Sequence, residues 1–354
     1  MKDEGSSPTL ADYGWDQHWA DRYDALLGSP AAAGIDGPEP GRVVRHDGAG
    51  LVVATAEGPV RAMFGPDVHP APVVGDWLVL DRHRTPLATL PRDSLLRRRA
   101  AGGADEQALV ANIHVVLVVC GLDRPVRLGR IQRTVTLARD APAESLVVLT
   151  KADAVGPEVA ALAEDVVADV DLEVVTLSAR SGWGVDDLLA RIGRRTVALI
   201  GESGAGKSTL VNALVAHEVA AEGAVREGDA KGRHTTTARE LHVLRTGGVL
   251  IDTPGIREVG IFADPDAVAE TFADIEALAA GCRFRDCVHE SEPGCAVLAA
   301  VADGTLSEDR VRRWRDLETE AASAALRADP VAYRKRNRQQ GRIGREAVRH
   351  KRRT

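Results

Sequence analysis

The stretch Gly201–Thr209, GESGAGKST, matches the spacing G-x-x-x-x-G-K-[ST] in full. Gly201, Gly204 and Gly206 let the backbone curl so that its N–H groups point inward at phosphate oxygens. The helix that follows adds its dipole at the same place. Lys207 is expected to reach the β- and γ-phosphates and to be catalytic, and Ser208 to offer a hydroxyl to Mg²⁺. Glu202, Ser203, Ala205 and Thr209 complete the loop. About fifty residues later the apolar run VLI ends in DTPG. Asp252 there is expected to hold the Mg²⁺ shell, and Gly255 to donate an N–H to the γ-phosphate. Gly232–Thr237, GRHTTT, lies between these two motifs, where a mobile segment with a second Mg²⁺-binding threonine belongs; Thr235, Thr236 and Thr237 are all candidates.

Two further loops read a base. Thr150–Asp153, TKAD, ends an apolar run, and the Asp153 carboxylate can accept from the two N–H groups that guanine offers and adenine does not. Lys151 can lie across the base, with Ala152 between the two. The usual first residue of this motif is Asn, and Thr150 is shorter. Leu177–Arg180, LSAR, ends the next apolar run, where backbone N–H groups at Ser178 and Ala179 can meet the guanine oxygen. In ordinary GTPases the phosphate loop precedes the base reader. Here TKAD and LSAR come first.

A third constellation is CRFRDCVHESEPGC, with Cys282, Cys287, His289 and Cys295. Three thiolates and one imidazole saturate tetrahedral Zn²⁺ and leave no position for water, so a structural zinc is expected. Three of the four cysteines fall in this stretch, which favours a metal over a disulfide scaffold.

The elements that must hold these residues follow from the apolar pattern. Gly41 to about Pro91 reads as five short strands, RVVRH, LVVATA, PVRAMF, GDWLVLD and PLATL, divided by turn residues; this suits a small barrel, of which the OB type is one. From His114 the texture alternates. HVVLVV, SLVVLT, LEVVTLS and RTVALIG read as strands and the segments between them as helices, so a doubly wound sheet is expected. ELHVLR and GVLIDTPG read as a strand pair. Ala263–Leu326 reads as helical around the cysteines, and Trp15–Leu27 as a short helix that decorates the next domain.

The chain has 354 residues, 44% of them hydrophobic and 27% charged, with a formal net charge of −7. That balance argues against a uniformly basic nucleic-acid binder, and 3% aromatics argue against a large base-stacking surface. Charge is uneven, however. Val331–Thr354 carries ten Lys or Arg against one Glu, a basic tail suited to an anionic partner. No apolar run approaches the roughly 18 residues needed to cross a bilayer, and the N-terminus lacks a signal pattern. A cytoplasmic, monomeric protein without membrane contact is expected.

In the order TKAD, LSAR, GESGAGKST, GRHTTT, DTPG and then the cysteine cluster, the chain resembles the ribosome small-subunit-dependent GTPases of the RsgA or YjeQ family. The resemblance runs from about Gly41 to the C-terminus. It implies a multidomain α/β protein: an N-terminal OB-fold β-barrel, a circularly permuted P-loop GTPase domain and a C-terminal helical zinc-binding domain. The corresponding boundaries are 1–40 for an extension and linker, 41–98 for the barrel, 99–262 for the G domain, 263–328 for the zinc domain and 329–354 for the tail. It also implies GTP hydrolysis stimulated by the small ribosomal subunit during its late maturation, with the barrel and zinc domain contacting rRNA. Permutation is tolerated because termini that lie close together can be joined and new ones opened elsewhere. Ile256 stands where many small GTPases carry a water-orienting Gln, so another group must serve, and His234 is the candidate. A slow nucleotide-binding switch with little turnover is one alternative. A P-loop metabolic kinase is another, for which no lid or acceptor pocket is visible.

Overall fold

The computed structural model describes residues 8–29, 34–47, 50–99, 106–168, 172–215, 239–252 and 265–328. The chain divides into two compact units, Met1–Leu96 with Ala108–Val259, and Arg97–Gln107 with Gly260–Thr354.

In the first unit a helix, α1 (Gln17–Leu27), precedes five strands: β1 (Glu39–His46), β2 (Leu51–Thr55), β3 (Gly58–Ala62), β4 (Trp77–Leu80) and β5 (Pro86–Thr89). β2 pairs with β1 and β3, and β4 pairs with β1 and β5, all antiparallel. The order β3-β2-β1-β4-β5 is that of a five-stranded, partly open barrel. Its interior is filled by Val43, Leu51, Val53, Leu78 and Leu80, each at most 1% exposed. β6 (Leu95–Arg99) and β7 (Glu106–Ala111) then pair as a separate ribbon.

The next elements alternate as the sequence pattern requires. They are β8 (Val115–Gly121), α2 (Leu128–Asp140), β9 (Glu144–Thr150), α3 (Pro157–Ala168), β10 (Val174–Thr176), α4 (Val185–Ile192), β11 (Thr196–Gly201) and α5 (Lys207–Leu214), followed by β12 (Glu240–Val243) and β13 (Val249–Asp252). β10, β9, β8, β11 and β13 lie side by side and parallel, with β12 antiparallel at the end. Val115, Val116, Leu117, Val118 and Val119 are all buried, because a central parallel strand is covered on both faces. Leu188 and Ile192 of α4 and Leu210 and Leu214 of α5 pack into the same core. α4 fits this role because its apolar positions recur at helical spacing.

Barrel and sheet are hydrogen-bonded to each other. β1 pairs with β12 at Arg45 and Glu240, whose side chains also meet at 3.6 Å, so one eleven-stranded sheet runs through both. α1 is capped by Asp16, whose carboxylate accepts from the Trp19 N–H at 3.2 Å. Trp15, Trp19 and Tyr23 pack against Trp77 and Leu90 of the barrel, so the expected decoration is a clamp with its own core. Buried Arg42 ties three segments together. It donates to the Tyr13 carbonyl, to the Gly75 carbonyl at 3.4 Å and to Thr196 Oγ1 at 3.0 Å, with its guanidinium over the Trp77 ring. Desolvation pushes its pKa down to about 9, against the pull of Asp76 and Asp16.

The second unit holds α6 (Pro265–Thr271), α7 (Ala273–Ala279), α8 (Ala296–Ala302) and α9 (Glu308–Ala328). Val268, Phe272, Ile275, Val297, Val311 and Trp314 form its core, all at most 3% exposed. No described helix in either unit is long and apolar enough to cross a membrane.

Candidate active site and metal centre

Because β9, β10, β11 and β13 are parallel, Thr150, Leu177, Gly201 and Asp252 all leave the sheet at the same edge. The chain winds outward from β8 through β9 to β10, then returns to place β11 on the other side of β8. That is a topological switch point, where open α/β sheets bind ligands.

The phosphate loop is built at the end of β11. A Cβ on Gly201 would stand 2.3 Å from the Val119 carbonyl, so only glycine allows β11 to lie this close to β8. Gly204 and Gly206 have φ of +77° and +85°, which turn successive N–H groups to one side. Lys207 opens α5, and its ammonium donates to the Gly201 and Glu202 carbonyls, both at 2.6 Å, curling over the loop. Ser208 and Thr209 occupy the next two positions of α5.

The base-reading loops meet on the neighbouring strands. The Ser178 hydroxyl donates to Asp153 Oδ1 at 2.6 Å, which holds the Asp153 carboxyl below the usual carboxylate range and ties TKAD to LSAR. The Ala152 N–H donates to the Leu177 carbonyl at 3.2 Å. The Ser178 N–H, expected to meet the guanine oxygen, instead donates to the Trp183 carbonyl at 2.9 Å, because LSAR turns back on itself before α4. Lys151 adopts φ +63° and its ammonium reaches Asp123 at 2.8 Å. Thr150 is buried, and its hydroxyl donates to the Ala205 carbonyl at 2.6 Å. The shorter side chain thus faces the phosphate loop and fastens the two loops together.

Sequence reasoning missed three residues on this rim. Asp123 and Arg124 follow β8 at the shared edge, and Arg130 sits on α2. Arg124 donates to Asp123 and to the Ser203 carbonyl at 3.3 Å, and Arg130 pairs with Glu202. Arg124 and then Lys151 pull the Asp123 pKa down to about 2. The signal was DRP at the end of an apolar strand, parallel to and beside the strand of the phosphate loop. Gly255, Ile256, His234, Thr235, Thr236, Thr237 and the basic tail lie outside the described residues.

In the second unit the ligand atoms of Cys282, Cys287, His289 and Cys295 all lie within 4.8 Å of one another. Cys282 Sγ is 3.8 Å from Cys295 Sγ, and His289 Nδ1 is 3.5 and 3.3 Å from those two sulfurs. Such separations are those of ligands about 2.0–2.3 Å from one tetrahedral centre, and the soft sulfur donors suit zinc. Cys295 caps α8 and accepts from the Leu298 N–H at 3.4 Å. Cys282 accepts from the Ala296 N–H at 3.3 Å, so helix-end donors face both thiolates.

These features define a P-loop nucleotide-binding domain whose base-reading strands precede its phosphate strand in the chain. Comparison with known proteins agrees. Residues 89–262 match the family model described as RsgA GTPase. The small ribosomal subunit biogenesis GTPase RsgA of Streptomyces coelicolor is 43% identical over 97% of this chain and 96% of its own length. That of Xylella fastidiosa strain 9a5c is 44% identical over 83% and 89%. Two solved structures share the fold: YjeQ from Thermotoga maritima (TM-score 0.60, 24% identity, 80% of this chain and 99% of that one) and YloQ, a circularly permuted GTPase (TM-score 0.59, 19%, 82% and 97%). The chain belongs to the RsgA GTPase family. It is a circularly permuted GTPase, an enzyme that hydrolyses GTP.

Proposed function

We propose that this protein hydrolyses GTP to GDP and phosphate on the small ribosomal subunit, during late maturation of that particle, as a cytoplasmic monomer. The names of its relatives carry the subunit assignment. The observation that carries the site is the gathering of four loops at one sheet edge. Gly201, Glu202, Ser203, Gly204, Ala205, Gly206, Lys207, Ser208 and Thr209 cradle the phosphates. Asp153 accepts from the guanine edge with the Ser178 hydroxyl holding its carboxylate, the Ala179 N–H faces the guanine oxygen, and Lys151 flanks the ring with Ala152. Ser208, Asp252 and one of Thr235, Thr236 and Thr237 would hold Mg²⁺, all of them hard oxygen donors. A bound Mg²⁺ would neutralise charge on the β- and γ-phosphate oxygens. Lys207 adds a positive charge at the same oxygens, Gly255 donates an N–H to the γ-phosphate, and His234 orients the attacking water in place of the residue that Ile256 cannot supply.

The domain assignment goes with it: an extension over 1–40, a barrel over 41–98, a permuted G domain over 99–262, a zinc-binding domain over 263–328 and a basic tail over 329–354. The barrel, the zinc domain and the tail contact rRNA, and Cys282, Cys287, His289 and Cys295 bind one structural Zn²⁺. Turnover of GTP and ATP, each with and without purified small subunits, tests the whole. GTP should be preferred and its turnover stimulated by subunits. Asp153→Asn should erase the preference, and His234→Ala the stimulation. Equal use of ATP by the native chain sinks the base assignment, and wild-type stimulation in His234→Ala sinks that residue's role.

A further inference from the structure

A carboxylate within a phosphate loop is an electrostatic problem. Glu202 is the second residue of the loop, beside the glycine at which the cradle begins, and its side chain is one-third exposed. Guanosine di- and triphosphate bring several negative charges to the same loop, so an uncompensated Glu202 opposes binding, and opposes it more as phosphates are added. Two guanidiniums flank that carboxylate. Arg130, on the first turn of α2, pairs with Oε1, and Arg124 lies 3.8 Å from Oε2. Arg124 also donates to the Ser203 carbonyl, the next residue of the loop, at 3.3 Å. Neither arginine belongs to the phosphate loop or to the base-reading loops in the sequence. Both reach the loop because β8 lies beside β11 and α2 starts from the same edge of the sheet.

We propose that Arg130, assisted by Arg124, is an electrostatic positioning residue for nucleotide binding: it pins the Glu202 carboxylate toward α2 and cancels its charge, so that the loop accepts a polyanion. The inference rests on the reading of Gly201–Thr209 as the phosphate site. An exposed ion pair of this kind adds little to folding stability; its effect falls on the ligand. Arg124 has a second anionic partner in Asp123, which Lys151 shares, so Arg130 is the cation committed to Glu202 among the described residues.

The test is calorimetric titration of the full-length chain with GDP and with a non-hydrolysable GTP analogue, at low and at physiological salt. Arg130→Ala should weaken GDP binding about threefold to tenfold and weaken the triphosphate more, with the loss shrinking as salt rises. Glu202→Gln should tighten both. The double variant Arg130→Ala/Glu202→Gln should return to within about twofold of the native chain. Arg130 is more than half exposed, so its loss should leave the melting temperature in place. An unchanged affinity in Arg130→Ala, an equal loss for di- and triphosphate, or a double variant as weak as Arg130→Ala alone would each overturn the proposal. If the native chain bound neither nucleotide, the reading of the phosphate site would fall instead.

Discussion

Thr150 shows how one side chain keeps a role that its type did not announce. Its hydroxyl has one proton to give, and gives it to the Ala205 carbonyl at 2.6 Å, with the Cys120 carbonyl farther off at 3.3 Å. Removing it while keeping the shape, as in Thr150→Val, leaves a buried carbonyl without its donor. That should cost about 1–2 kcal/mol, felt as an approximately fivefold to thirtyfold loss of GDP affinity. Thr150→Ser should retain most of the binding. Fluorescence titration with GDP checks both, and full affinity in Thr150→Val would mean that the two loops hold their spacing without this bond. That a threonine stands in the motif was legible in the sequence. What it touches was not, because Ala205 is distant in the chain and comes near only through the β8–β11 pairing.

Elements differ in how much of them the sequence revealed. The helix over Trp15–Leu27 appears as Gln17–Leu27, and the segment between HVVLVV and SLVVLT, read as a helix, as Leu128–Asp140, because apolar spacing is a local property. The strand pair ELHVLR and GVLID forms as expected. What α1 does was illegible: its stripe of Trp15, Trp19 and Tyr23 reads the same whether it covers the barrel or a partner, and only the structure sets it on Trp77 and Leu90. The gathering of Cys282, Cys287, His289 and Cys295 was legible, since their types and spacing suit one tetrahedral centre and the structure brings their ligand atoms within 4.8 Å of one another. Between α7 and α8 the chain has few apolar anchors, and His289 sits at φ +58°, so metal bonds should hold that segment. Cys282→Ser should therefore lower zinc content below one per chain and expose the segment between Ala279 and Ala296 to protease. Chelation of the native protein should do the same. Mass spectrometry of the fragments checks this; protection equal to the native chain would show that α6–α9 hold the loop without metal.

At the scale of the molecule, burial sets a pH limit. His46, His114 and His242 all have pKa values lowered, chiefly by desolvation. In His114 the neutral ring is also built in, because Nδ1 accepts from the Thr196 N–H at 3.1 Å and cannot do so once protonated. The unfolded chain takes up protons near the ordinary value of 6.5, while the folded chain resists until a lower pH. The stability of the first unit should therefore hold above about pH 6.5 and fall as acid is added below it, levelling once the folded imidazoles titrate. Denaturant titrations at a series of pH values check the sign, and His114→Gln should flatten part of the slope. Stability that rises toward pH 5 would contradict it.

The eleven-stranded sheet also has a history in time. A ribosome delivers this chain from the N-terminus, so β1 emerges long before β12 exists to cover its free margin, and β8 must wait, half-paired, until β11 arrives to complete it. The protein therefore passes through its own synthesis with two unsatisfied seams, each a template for wrong neighbours. A nascent fragment that stops short of β11 should cling to chaperones or to its own kind, and release should coincide with the translation of β12 and β13.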